Sequence, residues 1–298
     1  MSAPLPGFEI RVPGSISNLG AGFDALSVAV TVYLKLTVLE QRTGPEVSFE
    51  FRDGAPQGEN RIATAFALAQ ARDGRTHPGL RVRVDSDIPM RAGLGSSAAA
   101  TIAGFKLYEA ATTPRPADYW IALACELEGH PDNAAAAVLG GLTTSCRRDD
   151  GSVLAHATPW PDEIGLVVAT PEVELATSEA RRALPSTIPM VDAVFNLQRA
   201  LLLVRALETG RYDQLREAVR DRWHQPARTA LVPGLAQAIA IDDPAVFGVC
   251  LSGAGPSIVA FSQAPHDRAA GLLGAIYEDL GLAYTIRRLA AHPPGPAS

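Results

Sequence analysis

Ile88-Pro89-Met90-Arg91-Ala92-Gly93-Leu94-Gly95-Ser96-Ser97-Ala98-Ala99-Ala100 is the stretch on which the fold of this chain turns. Two glycines one residue apart let backbone amides approach an anion closely, because no Cβ stands in the way. Two serines then open a helical segment whose first N–H groups have no partner within the helix and carry partial positive charge. A phosphate fits such a place. Serine also caps helices well, and its hydroxyl can ligand Mg²⁺ beside a nucleotide. From these residues alone three readings stay open. One is a loop followed by a serine-capped helix. The second is a dinucleotide site, because Gly93-x-Gly95-x-x-Ala98 fits that loose fingerprint and Asp118 lies twenty residues on. The third is a cradle for nucleotide phosphates that is not a Walker A loop, since no Gly-Lys-Ser/Thr follows. The preceding segment weighs against the second: Leu80, Val82 and Val84 alternate with Arg81, Arg83 and Asp85, whereas parallel Rossmann strands are apolar on both faces.

Outward from this stretch, strand patterns dominate the first third: Phe8 to Val12, Val28 to Leu39, Glu46 to Phe51 and Gly79 to Asp85. Helices are predicted from an Asn60 cap through Leu68, from Ser96-Ser97 through Leu107, over Asp118 to Glu128 and over Asp132 to Leu139. The mixture then repeats, with strands at Leu142 to Arg147 and Gly165 to Thr170 and helices at Ser178 to Leu184 and Val191 to Glu208. A charged helix over Tyr212 to Trp223 and one near Pro233 to Ile241 come next. Strands at Phe247 to Leu251 and Ser257 to Phe261, the helix His266 to Leu280 and a strand at Tyr284 to Leu289 complete the pattern. The proline-rich tail His292 to Ser298 reads as frayed. The pattern predicts an α+β protein of two domains, residues 1–160 and 161–298, joined near residues 155–165.

Composition excludes several function classes. At 298 residues, 47% hydrophobic and 19% charged, the chain is that of an ordinary globular enzyme. A net charge of −6 gives no electrostatic reason to expect nucleic acid or an anionic membrane. No run approaches the roughly 18 apolar residues of a membrane span, and Met1 to Arg11 has no basic-then-apolar signal pattern. Cys125, Cys146 and Cys250 form neither a pairing framework nor a metal spacing. They read as reduced thiols of a cytoplasmic protein.

The glycine-serine stretch resembles the phosphate loop of the GHMP kinases, with Pro89 a few residues ahead of Gly-Leu-Gly-Ser-Ser-Ala; it departs at Arg91, where that family carries a small residue. Two distant blocks agree. Val12-Pro13-Gly14-Ser15-Ile16-Ser17-Asn18-Leu19-Gly20-Ala21-Gly22-Phe23-Asp24 resembles the family's first motif, and Leu251-Ser252-Gly253-Ala254-Gly255-Pro256-Ser257 its third. Three motifs in the family's order span nearly the whole chain. Within the family the homoserine-kinase branch is most similar, through Asn18 to Asp24, Glu126 to Asn133 before Gly140-Gly141, Thr177 to Arg181 before Leu184-Pro185, and Pro226-Ala227-Arg228 before Pro233-Gly234.

The resemblance implies the two-domain GHMP kinase fold, with an N-terminal ribosomal protein S5 domain 2-like part and a C-terminal ferredoxin-like α/β sandwich. It implies ATP and Mg²⁺, with ATP held by Asn60, Pro89, Gly93, Leu94, Gly95, Ser96, Ser97 and Ala98. Mg²⁺ falls to Ser97 and to Glu126 or Glu128. Two acids in the last turn of a helix oppose its dipole and call for a cation. The implied substrate is L-homoserine, in threonine biosynthesis. Its α-carboxylate calls for arginine, here Arg181 and Arg228 with Thr177 nearby. Asn18, Asp24 and Asn133 take the ammonium and hydroxyl end, and His130 lines the same pocket. Asn133 stands where several GHMP kinases place an aspartate, and an amide cannot take a proton at neutral pH. Catalysis then rests on Ser97, Asn133 and alignment, with neighbouring Asp132 as the competing base. A homodimer is implied as the assembly. The alternatives are a GHMP kinase acting on another small alcohol such as mevalonate, and a non-catalytic ligand-binding relative.

Overall fold

The computed structural model describes residues 6–52, 54 and 58–295. Its first sheet is built from β1 (Glu9–Ser17), β2 (Leu26–Arg42), β3 (Val47–Phe51), β4 (Gly79–Ser86), β5 (Leu142–Arg147) and β6 (Val153–Thr158). The spatial order is β3-β4-β2-β5-β6, with β1 on β2. All pairs are antiparallel except β3 with β4. The β1–β2 register shifts between Pro13 and Gly14, where proline has no N–H to give the ladder. Four helices accompany this sheet: α1 (Arg61–Asp73), α2 (Ser96–Ala111), α3 (Ala117–Glu128) and α4 (Asp132–Leu139). Ile102, Phe105, Ile121 and Ala134 of these helices are buried with Val12, Val28 and Leu36 of the strands.

The second sheet is antiparallel, in the order β10-β7-β9-β8, from β7 (Gly165–Pro171), β8 (Val246–Leu251), β9 (Ile258–Ser262) and β10 (Tyr284–Leu289). Its helices are α5 (Thr177–Arg182), α6 (Met190–Thr209), α7 (Leu215–Ala218), α8 (His224–Arg228), α9 (Leu235–Ile239) and α10 (Asp267–Asp279). Side chains alternate across a strand, and here both faces are covered. Leu166 and Val168 share a core with Leu203 and Leu207 of α6, and that core continues into the first sheet. Val167 and Ala169 pack instead with Leu235 of α9 and Leu273 of α10.

Three sequence expectations are corrected here. The helix over Tyr212 to Trp223 is broken: a 3₁₀ turn leads into α7, which ends at Ala218. The chain then turns because the Asp221 carboxylate accepts the N–H groups of Trp223 and Gln225, and the Asn196 side chain accepts that of Arg222. A tertiary polar cluster thus outcompetes local helix propensity. β6 has no counterpart in the sequence reading, since small Ala155 and Ala157 on its inner positions and exposed Leu154 on its outer face blur the alternation. His292 to Gly295 are not frayed: His292 N–H bonds Ala29 O at 2.8 Å and Gly295 N–H bonds Leu139 O at 2.7 Å, returning the tail to the first sheet. The tail's last three residues lie outside the described ones. Among the described residues no helix is long and apolar enough to cross a membrane.

Candidate active site

The loop between β4 and α2 lies against the turn after β8, and backbone geometry fixes the contact. Gly93 and Gly95 have φ of 74° and 71°, the left-handed region that costs a side-chain-bearing residue about 1–2 kcal/mol. A Cβ at Gly93 would strike the Ser252 carbonyl and come within 2.8 Å of Gly255 O; one at Gly95 would strike Ser15 Oγ. Ser252 Oγ donates to Gly93 O at 2.6 Å, so the third glycine-rich block braces the loop before α2. Helix α2 starts at Ser96 with Gly95 as its cap and no side-chain cap. The expected serine cap is therefore absent. Among the described residues nothing accepts from the N–H groups of Ser96, Ser97 or Ala98, an anion-ready helix start.

Ser97 Oγ instead donates to Glu128 Oε1 at 2.8 Å, and Thr101 Oγ1 to the same oxygen at 2.9 Å. Arg61 Nε stands 3.9 Å from it. A hydroxyl and a largely shielded carboxylate beside an anion cradle form the hard-oxygen donor set that Mg²⁺ prefers. Glu126, two residues earlier in α3, points elsewhere and pairs with Arg72 at 2.6 Å on the surface. Helical spacing separates the two acids: residues two apart face different sides.

The other wall comes from the turn between β1 and β2 and from the second sheet's helices. Asn18, Leu19 and Asp24 all have positive φ, as does Arg91. Such strain persists only where its surroundings hold it, and it clusters at functional sites. Asn18 Nδ2 donates to Gly253 O at 3.0 Å, and its Oδ1 accepts the Asp24 N–H at 3.0 Å. Asp24 pairs through both oxygens with Arg181 at 3.0 and 2.9 Å, which raises the arginine's pKa. Arg228 is 2% exposed. It donates to Ala180 O and Gly253 O and, among the described residues, has no carboxylate partner. Burial, with Arg181 alongside, pushes its pKa down to about 10. Both guanidinium groups lie 5.5 Å from the Phe23 ring centroid, within cation–π range.

His130 Nδ1 meets Asp132 Oδ1 at 2.6 Å. Burial alone would lower the His130 pKa, but the Asp132 carboxylate outweighs it and the net direction is up. Ligand atoms of Asp24, His130 and Asp132 lie within 4.8 Å of one another and form the acidic end of the site. The Asn133 amide is used at both ends, accepting from Ser15 Oγ at 2.7 Å and donating to Ser17 Oγ at 3.1 Å.

One cavity of about 800 Å³ gathers these walls. It is lined by Asn18, Asp24, Asn60, Gly93, Gly95, Ser96, Ser97, Ala98, Glu128, His130, Asp132, Asn133, Thr177, Arg181 and Arg228. Pro89, Leu94 and Glu126, the remaining predicted residues, are not among the lining residues. Leu94 is fully buried and contributes its carbonyl, which accepts from Ser15 N–H at 3.0 Å. Asn60 caps α1, with Oδ1 accepting from Ala63 N–H. Sequence reasoning missed Arg61, Thr101, Ser15 and Ser17 as contributors. The two serines stood in the first glycine-rich block, whereas Arg61 and Thr101 carry no local signal.

The profile described as "GHMP kinases N terminal domain" matches residues 60–141, and "GHMP kinases C terminal" matches residues 203–279. The chain is 39% identical to a homoserine kinase from Solibacter usitatus over 93% of this chain and 92% of that one. It is 37% identical to one from Nostoc sp., over 96% and 97%. Among solved structures, a homoserine kinase from Cytophaga hutchinsonii superposes with a TM-score of 0.84 at 23% identity, covering 98% of this chain and 97% of that one.

Proposed function

This chain belongs to the GHMP kinases, and from that premise we propose that it is a homoserine kinase. It transfers the γ-phosphoryl group of ATP to the side-chain hydroxyl of L-homoserine, giving O-phospho-L-homoserine and ADP for threonine biosynthesis. The observation that carries this is the pairing, in one cavity, of an anion cradle with a charged wall of both signs. Arg228 is buried without a carboxylate, and Asp24 stands beside it through Arg181. A zwitterionic amino acid supplies the missing carboxylate to Arg228, Arg181 and Thr177 and its ammonium to Asp24. Mevalonate carries a carboxylate but no ammonium, so Asp24 favours the amino acid. The test is ADP release from ATP-Mg²⁺ across homoserine, serine, threonine, mevalonate and galactose. Homoserine is expected to give the fastest turnover. Turnover on mevalonate with none on homoserine would overturn the substrate while leaving a kinase.

In this reading the N–H groups of Gly93 to Ala98 hold the phosphates, Ser97 and Glu128 hold Mg²⁺, and Asn60 borders the nucleotide. Mg²⁺-ATP, when bound, supplies the phosphoryl group and the positive charge that the loop lacks for want of a lysine. The chain's own task is alignment and electrostatic stabilisation. Asn133, tied at both ends to serines of β1, orients the substrate hydroxyl and takes no proton. Asp132 is 1% exposed and engaged with His130, which would leave the hydroxyl proton to the bound phosphoryl group rather than to a carboxylate. Asp132→Asn is therefore expected to lower kcat by about tenfold at most, through His130 placement. Abolished turnover with ATP and homoserine affinities intact would establish Asp132 as the base.

We place the boundary between an ATP-binding N-terminal part and the C-terminal part at residues 160 and 161, and the protein in the cytoplasm, where amino-acid biosynthesis supplies its substrates. A homodimer is the proposed assembly. Its support is an apolar stripe along α6, where Met190, Val191, Val194, Leu197 and Leu201 are all exposed; such patches mark association surfaces.

A further inference from the structure

His224 opens α8 one helical turn before Arg228 and is fully buried. Its ring stacks on Phe23 at 5.2 Å between centroids. Nδ1 lies 3.3 Å from Arg228 Nη1, and Nε2 lies 2.7 Å from Gly20 O. These two contacts settle the proton. Arginine only donates, so Nδ1 must present its lone pair; a carbonyl only accepts, so Nε2 must carry the hydrogen. Burial agrees, driving the His224 pKa down against the pull of Asp221. The ring therefore joins two walls of the cavity, the turn bearing Asn18 and Asp24 and the helix bearing Arg228.

Arg228 needs that help. Nε is held by Ala180 O at 3.1 Å, and Nη1 is shared between Gly253 O at 3.0 Å and His224. Among the described residues no acceptor takes Nη2, and Arg228 lines the cavity. The imidazole fixes the rotation of the guanidinium and leaves its free edge to the ligand. A cationic imidazole at this place would repel the guanidinium and lose the acceptor.

We infer that His224, as the neutral Nε2-protonated imidazole, is the positioning residue that aims Arg228 at the α-carboxylate of the substrate and so sets the preference for an amino acid. This rests on the homoserine reading above. Two substitutions separate the ring's two contacts, because glutamine reproduces a donor at the Nε2 position and asparagine an acceptor at the Nδ1 position. His224→Gln keeps Gly20 and loses Arg228. It is expected to raise KM for homoserine about tenfold, with KM for ATP unchanged. The preference for L-homoserine over its uncharged amide should fall by a similar factor. His224→Asn keeps the acceptor and should hold that preference within about threefold of wild type. Equal losses in the two variants, or an unchanged homoserine preference in His224→Gln, would overturn the inference while homoserine turnover by the wild type leaves the substrate reading standing. If neither variant folds, ¹⁵N shifts of the wild-type imidazole decide: a protonated Nε2 and bare Nδ1 at neutral pH support the inference, and the opposite tautomer or a cation overturns it. No turnover of homoserine by the wild type would overturn both.

Discussion

Glu128→Gln is expected to lower kcat by about 10²- to 10³-fold, whereas Glu126→Gln stays within about twofold of wild type. The contrast follows from one helical step. Glu128 Oε1 faces Ser97 and Thr101 inside the cavity, and glutamine can still accept from both hydroxyls while losing the charge that draws a divalent cation. The fold is therefore retained and the loss is chemical. Glu126 is paired with Arg72 at the surface, where an exposed ion pair contributes at most about 1 kcal/mol. Steady-state rates measured across a Mg²⁺ titration check this, and the Glu128→Gln rate should recover partly at high Mg²⁺. A large loss in Glu126→Gln with none in Glu128→Gln would reverse the assignment.

Arg228→Met should lower kcat/KM for homoserine by about 10²- to 10³-fold, the range expected when one partner of a buried charge pair is removed at binding. KM for ATP should not move, because the phosphate loop touches Arg228 only through the Gly253 turn. Stability should behave differently from activity. The free protein holds this guanidinium at 2% exposure without a carboxylate, and burial depresses its pKa to about 10. Replacing this buried charge by an apolar side chain of similar length relieves desolvation, while Ala180 O and His224 Nδ1 lose this donor and Gly253 O keeps the one from Asn18. The two effects nearly cancel, and the denaturation midpoint should shift by less than about 1 kcal/mol of unfolding free energy. A variant that loses activity and several kcal/mol together would make Arg228 a structural residue instead.

The outcome for individual elements shows why some were legible and others were not. Strands β1, β2 and β4 carry period-two alternation, and α2 and α3 carry long apolar runs; both are local signals. The broken helix after α6 was misread because the residues that break it are Asn196 and Asp221, the first from a neighbouring helix. The tail was misread because its order comes from Ala29 and Leu139, far away in the chain. Of the residues that line the cavity, Asn18, Asp24 and Gly93 to Ala98 were singled out within glycine-rich blocks, whereas Ser15 and Ser17 were not, because their contact is with the distant Asn133.

The sequence by itself determined the three glycine-rich blocks and their order, and through the family resemblance it led to the proposed phosphate cradle and to Arg181 and Arg228 as the carboxylate candidates. Backbone freedom and charge type are properties of single residues, so a linear pattern carries them. Only the tertiary structure decided that Glu128 rather than Glu126 faces Ser97, that Ser97 bonds a carboxylate instead of capping its helix, and that Arg228 has no acidic partner among the described residues. Those distinctions depend on which way a side chain points and on what a distant segment brings to it. In the proposed function Gly93 to Ser97 set where phosphate lies, and the walls folded against them set what lies beside it.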